Sequence, residues 1–237
     1  MKQIFAIIIG LFMVFQISAQ QTTDGTSSPV AKQPERNKDR LLIGVYNCMW
    51  QGLTTGVKQR SISQGYTAAF MFDIPTSEKS LFSFGLGLGY ARNHFYSNAV
   101  TKMNLPIDRT TIMTPVASGI NYSQNKLSFT YINIPLELRF RSKIGIRAAL
   151  GLRSGLLVDS YSTYYGENPD TQFYGNNGIL KIVNKDISNT EKYLFELTAR
   201  VGWKFVTLNG SYSLSKMFTD KGPQIYPYTV GVSLSLW

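Results

Sequence analysis

Cysteine, histidine and long apolar runs are all scarce in this chain of 237 residues, and each scarcity removes a class of protein. Cys48 is the only cysteine, so an intrachain disulfide framework and a Cys/His zinc site are both excluded. Charged residues make up 16% of the chain, well below the usual share of about a quarter. Past the first 19 residues no long unbroken apolar stretch occurs, so a mature chain that enters a membrane has to do so as β structure.

The chemistry-bearing motifs are equally sparse. The net charge of +10 comes from Lys and Arg residues scattered singly through the chain. Phosphate-backbone binding needs a clustered basic stripe, so nucleic acid is not an expected partner, and anionic headgroups at a membrane surface account for the charge more economically. His94 is the only histidine, and although Ser97 or Ser123 could be imagined beside it, a surface histidine in the aromatic patch with Phe95 and Tyr96 is the plainer reading. Gly85, Gly87 and Gly89 alternate along a strand pattern and open no helix, so they form no phosphate loop. Glu167 and Asp170, with Asn168 between them, are too few for a calcium site. The expectation is a non-enzymatic protein with no catalytic site, cofactor or metal.

Residues 1–19 have the anatomy of a signal peptide: Lys2, an apolar run over 4–15, and the small-residue end Ile17-Ser18-Ala19. That run is short for a spanning helix, and no cysteine at the cleavage point marks a lipoprotein. Residues 20–39 are rich in Gln, Thr, Ser and Pro and then charged, which reads as a flexible periplasmic leader.

What the chain has in abundance is two-residue periodicity. Over 129–151, Ile132, Ile134, Leu136, Leu138 and Phe140 alternate with Asn133, Pro135, Glu137, Arg139 and Arg141. After a short basic turn the pattern resumes with Ile144, Ile146, Ala148, Leu150 and Leu152 opposite Arg147 and Arg153. Eight such strands are predicted, over 40–50, 65–74, 81–96, 128–141, 144–160, 192–205, 207–216 and 226–237. Their connections alternate between short and long, with loops expected over 97–127 and 161–191. An even strand number with tight turns on one rim and long loops on the other is what an antiparallel outer-membrane barrel requires.

The two faces differ in kind. One is apolar, with aromatics near its ends: Tyr90, Tyr193, Phe195, Tyr226 and Tyr228 toward the long loops, and Phe72, Phe140, Trp203 and Phe205 toward the short turns. The other is mostly small, with a few interleaved charges. A secreted lipocalin-like barrel would put the charged face outside, and its exterior would be filled with Lys and Glu rather than Gly, Ser and Ala. The predicted fold is therefore all-β, an eight-stranded antiparallel transmembrane β-barrel over 40–237, with short periplasmic turns, long extracellular loops and lipid on its greasy face.

The segment Tyr131-Ile-Asn-Ile-Pro-Leu-Glu-Leu-Arg-Phe-Arg141, the eight strands, the ISAQ cleavage region and the terminal aromatic Trp237 together resemble the PorT-like outer-membrane β-barrel family of Bacteroidota. Trp237 falls out of phase with Leu236, Leu234 and Val232. The resemblance implies an outer-membrane location and, for some members, a part in type IX secretion of proteins to the surface. On that basis the chain is expected to be an accessory of secretion or envelope assembly, with outer-membrane lipids and other envelope proteins as partners. The alternative is a surface adhesin or ligand-binding barrel, using the loop that carries Tyr161, Tyr164 and Tyr165.

Inside the barrel the predicted charges are Asp73, Glu137, Arg139, Arg147, Arg153, Glu196 and Arg200. Charge taken out of water must be paired. A three-residue turn over 142–144 would set Arg139 opposite Arg147, with Glu137 bridging them and Glu196 serving Arg153 or Arg200. Such a set either fills the lumen as a plug or lines an ion pathway, and the narrow interior of an eight-stranded barrel favours the plug. Pro135 has no N–H to give to a ladder, so a bulge or ladder break is predicted there.

Overall fold

The computed structural model describes residues 41–77, 80–103, 111–169, 178–219 and 222–236. The expected signal peptide and leader, Asp170 and Trp237 lie outside the described residues. Eleven strands follow in chain order: β1 (Leu41–Gln51), β2 (Gln64–Pro75), β3 (Phe82–Tyr96), β4 (Ala99–Met103), β5 (Thr111–Pro115), β6 (Tyr122–Arg141), β7 (Ile146–Glu167), β8 (Ile179–Lys185), β9 (Tyr193–Trp203), β10 (Val206–Ser213) and β11 (Tyr226–Leu236). Eight of them, β1, β2, β3, β6, β7, β9, β10 and β11, pair antiparallel with their neighbours in that order, and β1 pairs with β11 to close the ring.

Burial alternates along these strands as the sequence pattern requires. On β1, Leu41, Ile43 and Val45 face out while Leu42, Gly44 and Tyr46 are buried. The same holds on β6, with Ile132, Ile134, Leu136 and Leu138 outward around buried Asn133, Pro135, Glu137 and Arg139. These exposed aliphatic and aromatic side chains form a band around the whole barrel. From Ile132 to Phe140 it runs about 27 Å along the strand, or about 20 Å along the normal at a tilt of about 40°. That matches a lipid-facing belt.

Three of the departures from regular pairing bear on the interior. At Pro135 the ladder toward β7 continues opposite Arg153, but toward β3 the pairs jump from Leu86–Leu136 to Gly89–Asn133 in unchanged register. The missing N–H interrupts one side only. Between Thr130 and Tyr131 the register with β7 shifts, leaving Val158 as an extra residue. This bulge reverses which residues of β7 point inward, from Leu157 below it to Ser160, Ser162 and Tyr164 above. The β6–β7 turn is two residues longer than expected, since Arg141 pairs with Arg147, and within it Gly145 takes φ 94° and donates its N–H to Ser142 O at 3.1 Å.

The long connections are partly stranded, which corrects the expectation of structureless loops over 97–127 and 161–191. β6 begins at Tyr122 and β7 runs to Glu167, so their ladder continues well beyond the apolar belt, and β8 adds to it along β7. The β4–β5 hairpin is held beside them, with Asn184 Nδ2 donating to Thr101 O at 3.4 Å and Thr111 Oγ1 to Ser188 O at 2.6 Å.

The sheet persists there because the barrel mouth has its own apolar core. Tyr46, Cys48, Trp50, Phe95, Leu127, Phe129 and Tyr131 point inward from β1, β3 and β6. Val57, Ala99, Met113, Ile187, Met217, Phe218 and Ile225 fold in from the connections to meet them. Trp50 stacks on Phe95 with centroids 4.9 Å apart, Phe95 meets Phe129 edge-on at 6.2 Å, and Phe129 meets Phe218 at 6.3 Å. Phe218 is fully buried, so Phe218→Ala is expected to cost about 3 to 5 kcal/mol. Limited proteolysis in detergent should then cut the connections around residues 187–225 while the barrel strands stay protected.

Candidate functional site

Below the apolar core the lumen is polar, and its charges fall into two groups. In the lower group Glu137, buried on β6, accepts from Arg139 Nε at 2.9 Å and from Arg200 Nε at 3.1 Å and Nη2 at 2.5 Å. Asp73 on β2 lies 3.6 Å from Arg139 and 3.7 Å from Arg141. In the upper group Arg153 Nε lies 2.5 Å from Glu196 Oε2, whose other oxygen accepts from Ser211 Oγ at 3.2 Å. Ser211 in turn reaches Thr229 at 2.7 Å. Tyr46 donates to Asn93 Oδ1 at 2.7 Å above them.

One predicted pairing is corrected. The longer turn ending at Gly145 sets Arg147 opposite Arg141, and Arg139 opposite Ala149. Glu137 therefore bridges Arg139 and Arg200 rather than Arg139 and Arg147. Arg147 remains near the short-turn mouth, beside Arg139, Arg141 and Arg200. The inward glycines make room for this arrangement: a Cβ on Gly85 would sit 2.5 Å from Arg139 Nε. The guanidinium lies across the space that a side chain would fill.

The open volume between the two groups is about 40 Å³, bounded by Tyr46, Glu137, Arg153 and Arg200. That holds a few water molecules and no hydrated ion. Above it, among the described residues, the aromatic core occupies the lumen.

The tyrosines expected in a loop lie on β7, and the alternation of that strand separates them. Tyr164 points inward, its hydroxyl donating to Glu167 O at 2.6 Å and its ring 5.9 Å from Tyr122, so it belongs to the interior and is no contact residue. Tyr161 is half-buried and accepts from Arg92 Nη2 at 2.9 Å. Tyr165 is exposed.

His94 lies beyond the apolar belt on β3. Its Nδ1 is 2.8 Å from Ser128 Oγ, not beside Ser97 or Ser123, and its ring is tilted toward Tyr66 at 6.0 Å. Burial, with Lys126 and Arg92 nearby, pushes its pKa down to about 4. A base this weak is neutral at physiological pH and poorly suited to proton abstraction. Sequence reasoning missed this neighbourhood because Arg92, Lys126 and Ser128 come together only through pairing of β3 with β6.

The family model described as outer membrane protein beta-barrel domain matches residues 41–219. The chain belongs to that family. It is an outer-membrane protein, so its short turns face the periplasm and its long connections the cell exterior. A search of the curated proteins gave no match. Among solved structures the barrel is similar to Ail, the attachment invasion locus protein of Yersinia pestis, at 11% identity over 82% of this chain and 95% of that one, with a TM-score of 0.40. The same protein bound to the heparin analogue sucrose octasulfate aligns with identical coverage and identity at a TM-score of 0.38. A structure titled for the asymmetric conductivity of engineered proteins aligns at 11% identity over 82% of this chain and 97% of that one, with a TM-score of 0.20.

Two outcomes test this geometry. Glu137→Gln removes the anion between two buried arginines and is expected to destabilise the barrel by about 3 to 5 kcal/mol, with partial recovery in Glu137→Gln/Arg200→Met, read by urea unfolding in lipid vesicles. Separately, the imidazole of His94 should stay neutral in NMR titration down to about pH 4. Because the unfolded chain takes up that proton near the ordinary pKa of about 6.5, stability should fall as pH drops between those values.

Proposed function

We propose that this protein is a non-enzymatic, non-conducting barrel that acts as an accessory of protein secretion or envelope assembly, through the sheet that β6, β7 and β8 build beyond the membrane. The observation that carries this is the filled lumen. Among the described residues, ion pairs occupy its periplasmic half and an apolar core its extracellular half, which supports a barrel that passes neither solute nor polypeptide. Function then belongs to the outer surface. Ser128, the hydroxyl beside His94, is fully buried and out of reach of a substrate, which supports a non-enzymatic role. The PorT-like strand over 131–141 supports the secretion role in particular, with envelope proteins and outer-membrane lipids as partners.

A second reading, surface attachment, draws on the far side of the same sheet. β8 ends the strand order and pairs only with β7 among the described residues, and it exposes Ile179 and Val183 beside Tyr165. Such an edge can take up a further strand or a flat ligand.

In planar bilayers the purified protein should give no steady conductance, and a stable open channel would overturn the closed-lumen reading. Deleting the gene should reduce exported cargo at the cell surface. Normal export would remove the secretion role, and attachment unchanged by excision of residues 168–187 would remove the second reading.

A further inference from the structure

The outer wall of the barrel changes character abruptly on β2, β3, β6 and β7. The last apolar row, read across the register, is Ala68, Tyr90, Ile132 and Leu156. The next row, about 7 Å further along the strands, is Tyr66, Arg92, Thr130 and Asp159. Above it come His94, Ser128 and Tyr161, opposite Lys185 of β8, and then Lys126. A side chain in these rows stands at the level of the outer-leaflet headgroups.

We propose that Arg92, Lys126 and Tyr161 form a site for the phosphorylated headgroup of an outer-leaflet glycolipid. Tyr161 holds the two cations together: Arg92 Nη2 donates to its hydroxyl at 2.9 Å, the Arg92 guanidinium carbon lies 5.3 Å from the ring centroid, and Lys126 Nζ lies 5.9 Å from it. Two acids lie near: Asp159, 3.8 Å from Arg92 and half exposed, makes an ion pair too long and too wet to satisfy the guanidinium, and Asp186, whose N–H donates to Ser160 O, is exposed beside Lys185. Burial, and after it the charge of the same two cations, holds the pKa of His94 down. Lys181 and Lys185 extend that field along β8.

Arginine and lysine on a rigid sheet suit a phosphate monoester, the guanidinium by its fork of donors and the ammonium as a point charge. Tyr66 and Tyr90, stacked at 6.3 Å and both exposed, supply an amphipathic shelf where sugar gives way to acyl chain. The apolar belt directly beneath favours a phosphate that carries acyl chains over a soluble one. The assignment rests on the membrane placement of the barrel and not on the proposed role in secretion.

The test uses the full mature chain in phosphatidylcholine nanodiscs, with diphosphorylated lipid A and the same lipid A enzymatically dephosphorylated as probes, and bound lipid counted by native mass spectrometry. The diphosphorylated form should bind about tenfold more tightly, the preference shrinking as salt rises. Arg92→Gln/Lys126→Gln should abolish the preference, and Lys204→Gln at the periplasmic turn should keep it. Equal binding of both lipids to the wild type would overturn the proposal without reference to any variant. So would an unchanged preference in the folded double variant. Competition by inorganic pyrophosphate as strong as by lipid A would assign the site to soluble phosphate and overturn the lipid.

Discussion

Pairing of β1 with β11 is the constraint on which everything else depends. In hydrocarbon an unpaired backbone N–H or C=O has no water to turn to, so a sheet that crosses the membrane must join its own edges. Once eight strands close, the interior has a fixed, narrow circumference. Each inward side chain then competes for the same space. Gly85 can only be small because Arg139 lies across it, and Arg139 can only be buried because Glu137 and Asp73 lie within reach. Closure thus converts a preference for small inward residues into a requirement.

The barrel solves the problem of its interior in two different ways. Its periplasmic half uses charge: Glu137 is shared between Arg139 of its own strand and Arg200 of β9, and Glu196 pairs with Arg153 on the adjacent strand, so the ion pairs join β6 to β9 and β7 to β9. Its extracellular half uses aromatic packing as a soluble protein would, with Trp50, Phe95, Phe129 and Phe218 in contact. The division follows from the supply of side chains. Within the lipid belt only the strands contribute, and short turns bring in nothing to cover an apolar surface. Beyond it the long connections return Val57, Met113, Ile187 and Phe218 to the axis. The core they make gives β6 and β7 something to pair over after the membrane ends.

Much of the architecture was legible in the chain. The alternation over 132–140, the eight segments and the rhythm of long and short connections follow from local periodicity, which a strand expresses wherever it is placed. So does the interruption at Pro135, since a missing N–H is a property of the residue. The readings that failed depended on register. Gly145 has no side chain, and with its φ of 94° it sits in a turn two residues longer than expected, which moves Arg147 from Arg139 to Arg141 and hands Glu137 to Arg200. Tyr161, Tyr164 and Tyr165 looked alike in an assumed loop, yet once β8 draws that segment into a strand they divide between wall and interior.

The sequence by itself determined that this is a closed membrane barrel with a lipid face and a polar lumen, because both conclusions need only the period of two and the kind of residue at each step. Tertiary structure alone decided which charges meet, which side chains occupy the lumen at its two levels, and that Arg92, Lys126 and Tyr161 share one patch of outer wall. Those residues are far apart in the chain. Their proximity is set by strand register and by a bulge at Val158, neither of which leaves a periodic mark in the sequence.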